Sequence, residues 1–277
     1  MKKFLALLLA VVMVLSLAAC GSEAPAPAPT EAPAEQPAET PAEQPAEEPT
    51  AEPVEEYTGP DTFSMIANFD ITTLDYVYNN KSSNGDYVNN FVEGLLTQDN
   101  HGKLVPGMAS EWSCNDDASE WYFTIRDDAV WSTSAGEEYD AVTAEDFVTG
   151  LKHAVDSKSE TLGLVADFIV GLREYSDGTG KWEDVGIKKI DDYTLQITTV
   201  DDNTLTEFCN HFTDRSVYPV YKDLYEAGMN ADRTETTYGS TLDQWMGCGA
   251  YIFDDWKYDN IQVYVKNPDY WLADLFN

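Results

Sequence analysis

A proline recurs every fourth residue from Pro25 to Pro53, and this spacing decides where the chain can fold. Residues 21–56 otherwise consist mainly of Ala and Glu, with no basic and no aromatic residue. A proline in each repeat excludes a continuous helix, and a segment this poor in large apolar side chains cannot offset the entropy cost of ordering. We therefore interpret residues 20–56 as a disordered linker, which could span roughly 100 Å at about 3.1 Å per residue.

The first 19 residues have the features of a secretory signal peptide. Two lysines precede an apolar run from Phe4 to Leu17, which is too short for a membrane span of about 20 residues. Leu-Ala-Ala before Cys20 resembles a lipobox, in which a lipid is attached to the cysteine thiol. The sequence thus predicts a signal peptide over residues 1–19 and lipid attachment at Cys20. The protein would then lie outside the cytoplasm, anchored to the outer face of the cell membrane as a lipoprotein. An ordinary secreted protein is the alternative.

Charge and cysteine content exclude several classes of function. Asp and Glu outnumber Lys and Arg by 50 to 16, which disfavours nucleic acid as a partner, because phosphate binding depends on basic side chains. The chain contains neither a CxxC nor an HExxH motif, and its three histidines are scattered, so we expect no metal site and no cofactor. After Cys20, three cysteines remain, which allows at most one internal disulfide of undetermined pairing: Cys114, Cys209 and Cys248.

Alternating apolar residues near the end of the chain predict a β-hairpin. Tyr251 and Phe253 form one alternating set, and a second set follows a turn at Asp259-Asn260. We expect both sets to lie on one buried face. The second set consists of Ile261, Val263 and Val265.

Other periodic segments predict a mixture of strands and helices. The expected strands are residues 62–70, 121–126 and the hairpin 186–197, and the expected helices are 85–96, the segment after Thr143, 203–212 and 221–227. Thr143 and Asp146 have the spacing of a helix-capping box. Glu145 and Asp146 are unsuited to acid–base catalysis, because adjacent helical residues point about 100° apart. We therefore expect a protein that is not an enzyme, with a hydrolase using paired carboxylates as a weaker alternative.

Six motifs, in order, resemble the family-5 extracellular solute-binding proteins, the oligopeptide- and dipeptide-binding receptors of ABC importers. The C-terminal motif combines a Gly-Ala-Tyr entry at Gly249, a tryptophan at Trp256 and Asn-Pro-Asp-Tyr-Trp from Asn267. The others are Leu74-Asp75, Phe91–Leu96 with Leu104–Trp112, Ile125–Ser132, Val142–Phe147 and Gly186–Ile197.

The resemblance implies an α/β fold of mixed α+β type, similar to type II periplasmic binding proteins. Residues 57–96 and 185–277 would form a discontinuous, incomplete lobe I, and residues 97–184 a small inserted subdomain. Members of the family normally continue well beyond the Asn-Pro motif to form a second lobe, which we expect to be absent here. The chain would then be either a truncated form or a natural one-lobed derivative.

The resemblance also implies a function and a site. In the oligopeptide receptors, residues just before the Leu-Asp pair hydrogen-bond the peptide backbone like an added strand. This implies that Asp70, Ile71 and Thr72 bind the ligand. We expect a monomeric lipoprotein that captures oligopeptides for an ABC permease. The alternatives are an oligosaccharide or other solute, favoured by the 12% aromatic content, and a one-lobed surface interaction protein.

Overall fold

A computed structural model describes residues 62–66, 70–78, 82–99, 101–159, 162–200 and 217–273. Helices and antiparallel strands are interspersed along them, which confirms the mixed α/β class. The helices are α1 (Ser82–Phe91), α2 (Ala144–Asp156), α3 (Leu172–Ser176) and α4 (Lys222–Gly228). The strands are β1 (Leu96–Gln98), β2 (Leu104–Pro106), β3 (Ala109–Cys114), β4 (Glu120–Ile125), β5 (Val130–Thr133), β6 (Glu138–Ala141), β7 (Ile187–Asp191), β8 (Thr194–Thr198), β9 (Met246–Gly247), β10 (Tyr251–Lys257) and β11 (Ile261–Lys266). The predicted signal peptide, the linker and the helix at 203–212 lie outside the described residues.

The largest sheet has the strand order β3-β4-β8-β7, and α2 packs beside β7 and β8. As predicted, Trp121, Phe123 and Ile125 of β4 share one buried face. The register pairs Glu120 of β4 with Thr198 of β8. Strands from the predicted inserted subdomain and from predicted lobe I therefore belong to one sheet, and the division between those two ranges stays a prediction.

Helix α2 begins where the capping pattern predicts. The Asp146 carboxylate accepts a hydrogen bond from the backbone N–H of Thr143 at 2.8 Å, which satisfies a donor at the helix start. The predicted apolar stripe is buried: Phe147, Leu151, Ala154 and Val155. The helix therefore forms because its capping residues and its buried apolar stripe stabilise the same helical segment.

Strands β10 and β11 form the predicted hairpin, but the covered face differs from the prediction. Phe253 pairs with Tyr264, and both rings lie against Phe91 of α1, at 4.0 Å and 4.9 Å between centroids. This pairing puts Val265 on the opposite face, where it is 39% exposed, and Ile261 near the turn is 48% exposed. A β-bulge between Phe253 and Asp255 also shifts the register, which a strict alternation does not anticipate.

Two predicted elements change in extent. The strand predicted from residue 62 is wrong over residues 62–66, which form no strand, and Phe63 and Ile66 are 87% and 93% exposed. Alternation supplies strand propensity, but a strand needs a neighbour, and in the described part of the chain none pairs with this segment. Helix α1 ends at Phe91, and Leu95 and Leu96 are nevertheless buried, as expected. Of the helices among the described residues, none has the length and apolar character of a membrane span.

Candidate functional site

The predicted ligand-binding residues lie in the segment Asp70–Val77, which contains neither helix nor strand. Ile71 is 3% exposed and borders a cavity of about 20 Å³, whereas Thr72 is exposed. Within the described part of the chain, the backbone N–H and C=O groups of Ile71 and Thr72 have no hydrogen-bond partner. Among the described residues, Thr72 therefore presents unbonded backbone groups at the surface, beside the buried and anchored Ile71.

The first end of this segment is held by the β10–β11 hairpin. The Asp70 carboxylate accepts hydrogen bonds from the Gln262 side-chain amide at 2.8 Å and from the backbone N–H of Asp259. Gln262 is oriented in turn, because its amide oxygen accepts a hydrogen bond from the Tyr264 hydroxyl at 2.7 Å. The Asp70 side chain is thus used to fix the segment, which leaves the backbone as the part available to a ligand.

The second end is held by three contacts with distant parts of the chain. The Leu74 N–H donates to the Gly239 carbonyl at 2.9 Å. The Asp75 carboxylate meets the His153 ring nitrogen of α2 at 2.8 Å, and the Ser159 hydroxyl donates to the Val77 carbonyl at 2.6 Å. Ile71 and Thr72 therefore lie between two fixed ends.

Buried tyrosines fill the space behind the second end. The Tyr238 hydroxyl donates to the Tyr76 hydroxyl at 3.1 Å, and Tyr76 donates to the Pro219 carbonyl. Burial is the largest cause that raises the pKa of both tyrosines well above the ordinary value. Both hydroxyls therefore stay neutral and act as hydrogen-bond donors.

A second cluster holds the segment that follows β11. The Glu93 carboxylate accepts hydrogen bonds from the Trp271 indole N–H at 2.7 Å and from the Tyr270 hydroxyl at 3.3 Å. The Arg126 guanidinium lies 3.5 Å from the centroid of the Trp271 ring. Burial raises the pKa of Glu93, although the hydrogen bonds from Trp271 and Tyr270 and the charge of Arg126 act in the opposite direction.

Arg126 also borders a surface groove of about 280 Å³, separate from Asp70–Thr72. Its guanidinium is bound by both carboxylate oxygens of Asp128, at 2.9 Å and 3.3 Å. Arg126 is therefore already paired with an anion and stacked on Trp271. These contacts give it a structural role in the fold.

No group of three or more His, Cys, Asp or Glu side chains suited to a metal ion occurs among the described residues. Cys114 is an exposed free thiol and Cys248 a buried one, with a pKa raised by burial. His101 is exposed in a turn, as predicted.

The structure keeps the three predicted residues together and adds partners that the sequence does not reveal. Cys20 lies outside the described residues. The Asp75–His153 contact joins residues 78 positions apart, and no motif connects them. For Glu93 the only signal is its position inside the Phe91–Leu96 motif, which says nothing of its contact with Trp271.

Comparisons with known proteins agree with this architecture. The sequence profile of the bacterial extracellular solute-binding proteins, family 5 Middle, matches residues 103–275. Oligopeptide-binding protein SarA of Streptococcus gordonii is 37% identical over 219 residues, which are 76% of this chain and 31% of SarA.

Solved structures give the same result for the fold. The substrate-binding domain of an oligopeptide ABC transporter from Bacillus anthracis superposes with a TM-score of 0.67 at 24% identity, covering 76% of this chain and 38% of that one. OppA of Listeria monocytogenes bound to peptide gives 0.62 at 26% identity, covering 73% and 38%. This chain thus spans about a third of the length of the relatives it matches. Because the family profile covers more than half of it, the chain belongs to the bacterial extracellular solute-binding proteins of family 5.

Proposed function

We propose that this chain is the part of an ABC-importer receptor that captures oligopeptides, and that Asp70, Ile71 and Thr72 form its contact with the peptide. The observation that carries this proposal is the exposed backbone of Thr72, whose N–H and C=O groups have no hydrogen-bond partner in the described part of the chain. An extended peptide can pair with such groups as an added strand. The names of the relatives, several of them oligopeptide-binding proteins, support the same ligand class.

The geometry favours recognition of the peptide backbone over recognition of its side chains. The cavity beside Ile71 has a volume of about 20 Å³, which is enough for one water molecule and too small for a peptide side chain. Because both ends of the segment are fixed, little conformational entropy is lost when a ligand pairs with it. The segment Asp70–Thr72 would therefore accept peptides of varied sequence.

The test is a substitution that removes the backbone N–H of residue 72 and keeps a side chain of similar size. Thr72→Pro lacks the N–H, so its affinity for a mixture of short peptides should fall about tenfold, which corresponds to one hydrogen bond. Thr72→Ala is the matched control, because it keeps the backbone N–H and should bind like the wild type. Titration followed by NMR chemical shifts measures both variants, and equal affinity of Thr72→Pro and wild type would contradict the proposal.

We also propose that the protein acts as a monomer tethered through a lipid on Cys20, with residues 20–56 as the spacer and an ABC permease as the recipient of the peptide. The motif before Cys20 supports the lipid, and the proline repeat supports the spacer. Metabolic labelling with a clickable fatty acid tests the anchor. Label should appear on the wild type and not on Cys20→Ala, and an unlabelled wild type would refute the anchor.

The largest buried aromatic rings give the sugar-binding alternative no support. Many of the largest rings belong to the core, among them Trp121, Trp131, Tyr76 and Tyr225, each 2% exposed or less. Rings in such positions pack against apolar neighbours and present no face to a sugar.

A further inference from the structure

His153 is buried in α2, yet its ring nitrogen contacts the segment that carries the proposed peptide site. The distance from its Nε2 to the Asp75 carboxylate is 2.8 Å, and the two side chains are 2% and 11% exposed. Asp75 uses its other carboxylate oxygen to accept a hydrogen bond from the Tyr78 N–H at 3.2 Å. The Asp75 N–H is also bonded, to the Thr73 hydroxyl at 3.1 Å. Asp75 thus organises its own turn and joins it to α2.

The His153 ring has little freedom to turn. Its centroid lies 4.7 Å from that of the Tyr225 ring and 6.2 Å from that of Tyr238. The side chain of the preceding residue, Lys152, has different partners: its ammonium contacts Asp156 at 2.5 Å and the Tyr175 hydroxyl at 3.0 Å. The ring of His153 is therefore a fixed point against which Asp75 is placed.

Asp75 follows Thr72 by three residues, so a fixed Asp75 limits where the exposed backbone of Thr72 can lie. A second tie at this end, the bond from Leu74 to the Gly239 carbonyl, involves backbone atoms alone. We propose that His153 is a positioning residue for peptide binding: it holds Asp75 so that Thr72, next to the buried Ile71, presents its backbone groups in one geometry. This inference rests on the proposed function. His153 itself does not touch the ligand.

The experiment compares three variants of the full chain. His153→Leu removes the contact with Asp75, His153→Gln keeps an N–H donor at that place, and Lys152→Gln is the control on the neighbouring residue. Peptide affinity should fall about tenfold or more in His153→Leu and stay within about threefold in His153→Gln, while Lys152→Gln should equal the wild type.

Hydrogen exchange of the unliganded chain separates this inference from the proposed function. In His153→Leu, the amide of Tyr78 should exchange faster because its acceptor Asp75 is no longer held, and the amide of Leu74 should exchange faster because the adjacent Asp75 can move, while the amides of β4 should keep their protection. If exchange at these two amides is unchanged, the positioning role is overturned. If exchange rises but the wild type binds no peptide, the proposed function fails and the positioning of the segment by His153 stands. If exchange rises and peptide affinity is unchanged, the role in binding is refuted.

Discussion

Asp146 shows how much a single carboxylate contributes at the start of α2. Its two oxygens accept hydrogen bonds from the N–H and hydroxyl of Thr143, from the Trp131 indole N–H and from the Lys222 N–H. Burial is nevertheless the dominant influence and raises the pKa of Asp146 to about 6, although these donors act in the opposite direction. Folding therefore favours the protonated form relative to the unfolded chain.

The sign of this shift gives the first prediction. A raised pKa contributes stability that is present below about pH 4 and is lost as the pH rises through about 6. Asp146→Asn cannot ionise, so the stability of wild type relative to Asp146→Asn should fall by roughly 2 kcal/mol from pH 4 to pH 7. Urea denaturation at several pH values measures the difference, with the exposed Asp232→Asn as control. A difference independent of pH would contradict the assignment.

Gly239 allows the closest backbone approach at the candidate site. Its φ is +70°, and a Cβ built on it would lie 2.2 Å from the Asp75 backbone nitrogen. Gly239→Ala should therefore lower the free energy of unfolding by roughly 3 kcal/mol or more, since strain and overlap add. Gly102 has a similar φ of +75° with nothing within 4 Å, so Gly102→Ala should cost only about 1 kcal/mol. Equal losses in urea titrations of the two variants would show that the close approach is unimportant.

At the scale of elements, the periodicity of apolar residues predicts the positions of strands and helices better than it predicts which of their faces are buried. The β10–β11 hairpin was predictable from alternation and a turn, and α2 from its cap and stripe. The buried face of β11 was not predictable, because the bulge after Phe253 and the packing of α1 decide it. The contacts that fix Asp70–Val77 could not be predicted from the sequence for a related reason. They join residues far apart in the chain, which local patterns do not encode.

The turn after β11 has a buried side chain at its centre, and this leads to a prediction for the element. Asn267 is 3% exposed, donates to the Gly249 carbonyl at 2.9 Å, and accepts hydrogen bonds from the Ser132 hydroxyl at 3.3 Å and the Asp269 N–H at 3.1 Å. Asn267→Ala should therefore destabilise the chain by about 2 to 4 kcal/mol, because buried partners are left unpaired.

The matched control for this prediction is Asn260→Ala in the exposed turn of the same hairpin. It should change the free energy of unfolding by less than about 0.5 kcal/mol. Thermal and urea unfolding of both variants provide the measurement. A loss below about 1 kcal/mol in Asn267→Ala would mean that water replaces the missing side chain.

At the scale of the whole molecule, the proposed peptide contact uses residues of one segment. The chain spans 31% of SarA and 38% of the Bacillus anthracis structure, and the described residues that carry the proposed contact lie along a single segment. Binding pockets for small ligands bury about 70–90% of the ligand surface, which a single segment cannot do. The proposed backbone pairing at Thr72 would supply only one or two hydrogen bonds, each of about 1 kcal/mol net.

This limited enclosure predicts a difference in affinity between the 277-residue chain and a longer relative. The 277-residue chain should bind a mixture of short peptides at least about 100-fold more weakly than SarA in the same titration, a difference of about 2.7 kcal/mol. The residual binding should still depend on Thr72, so Thr72→Pro should weaken it further while Thr72→Ala should not. Tight, saturable binding by this chain would contradict this prediction and would show that residues beyond Asp70–Thr72 enclose the peptide.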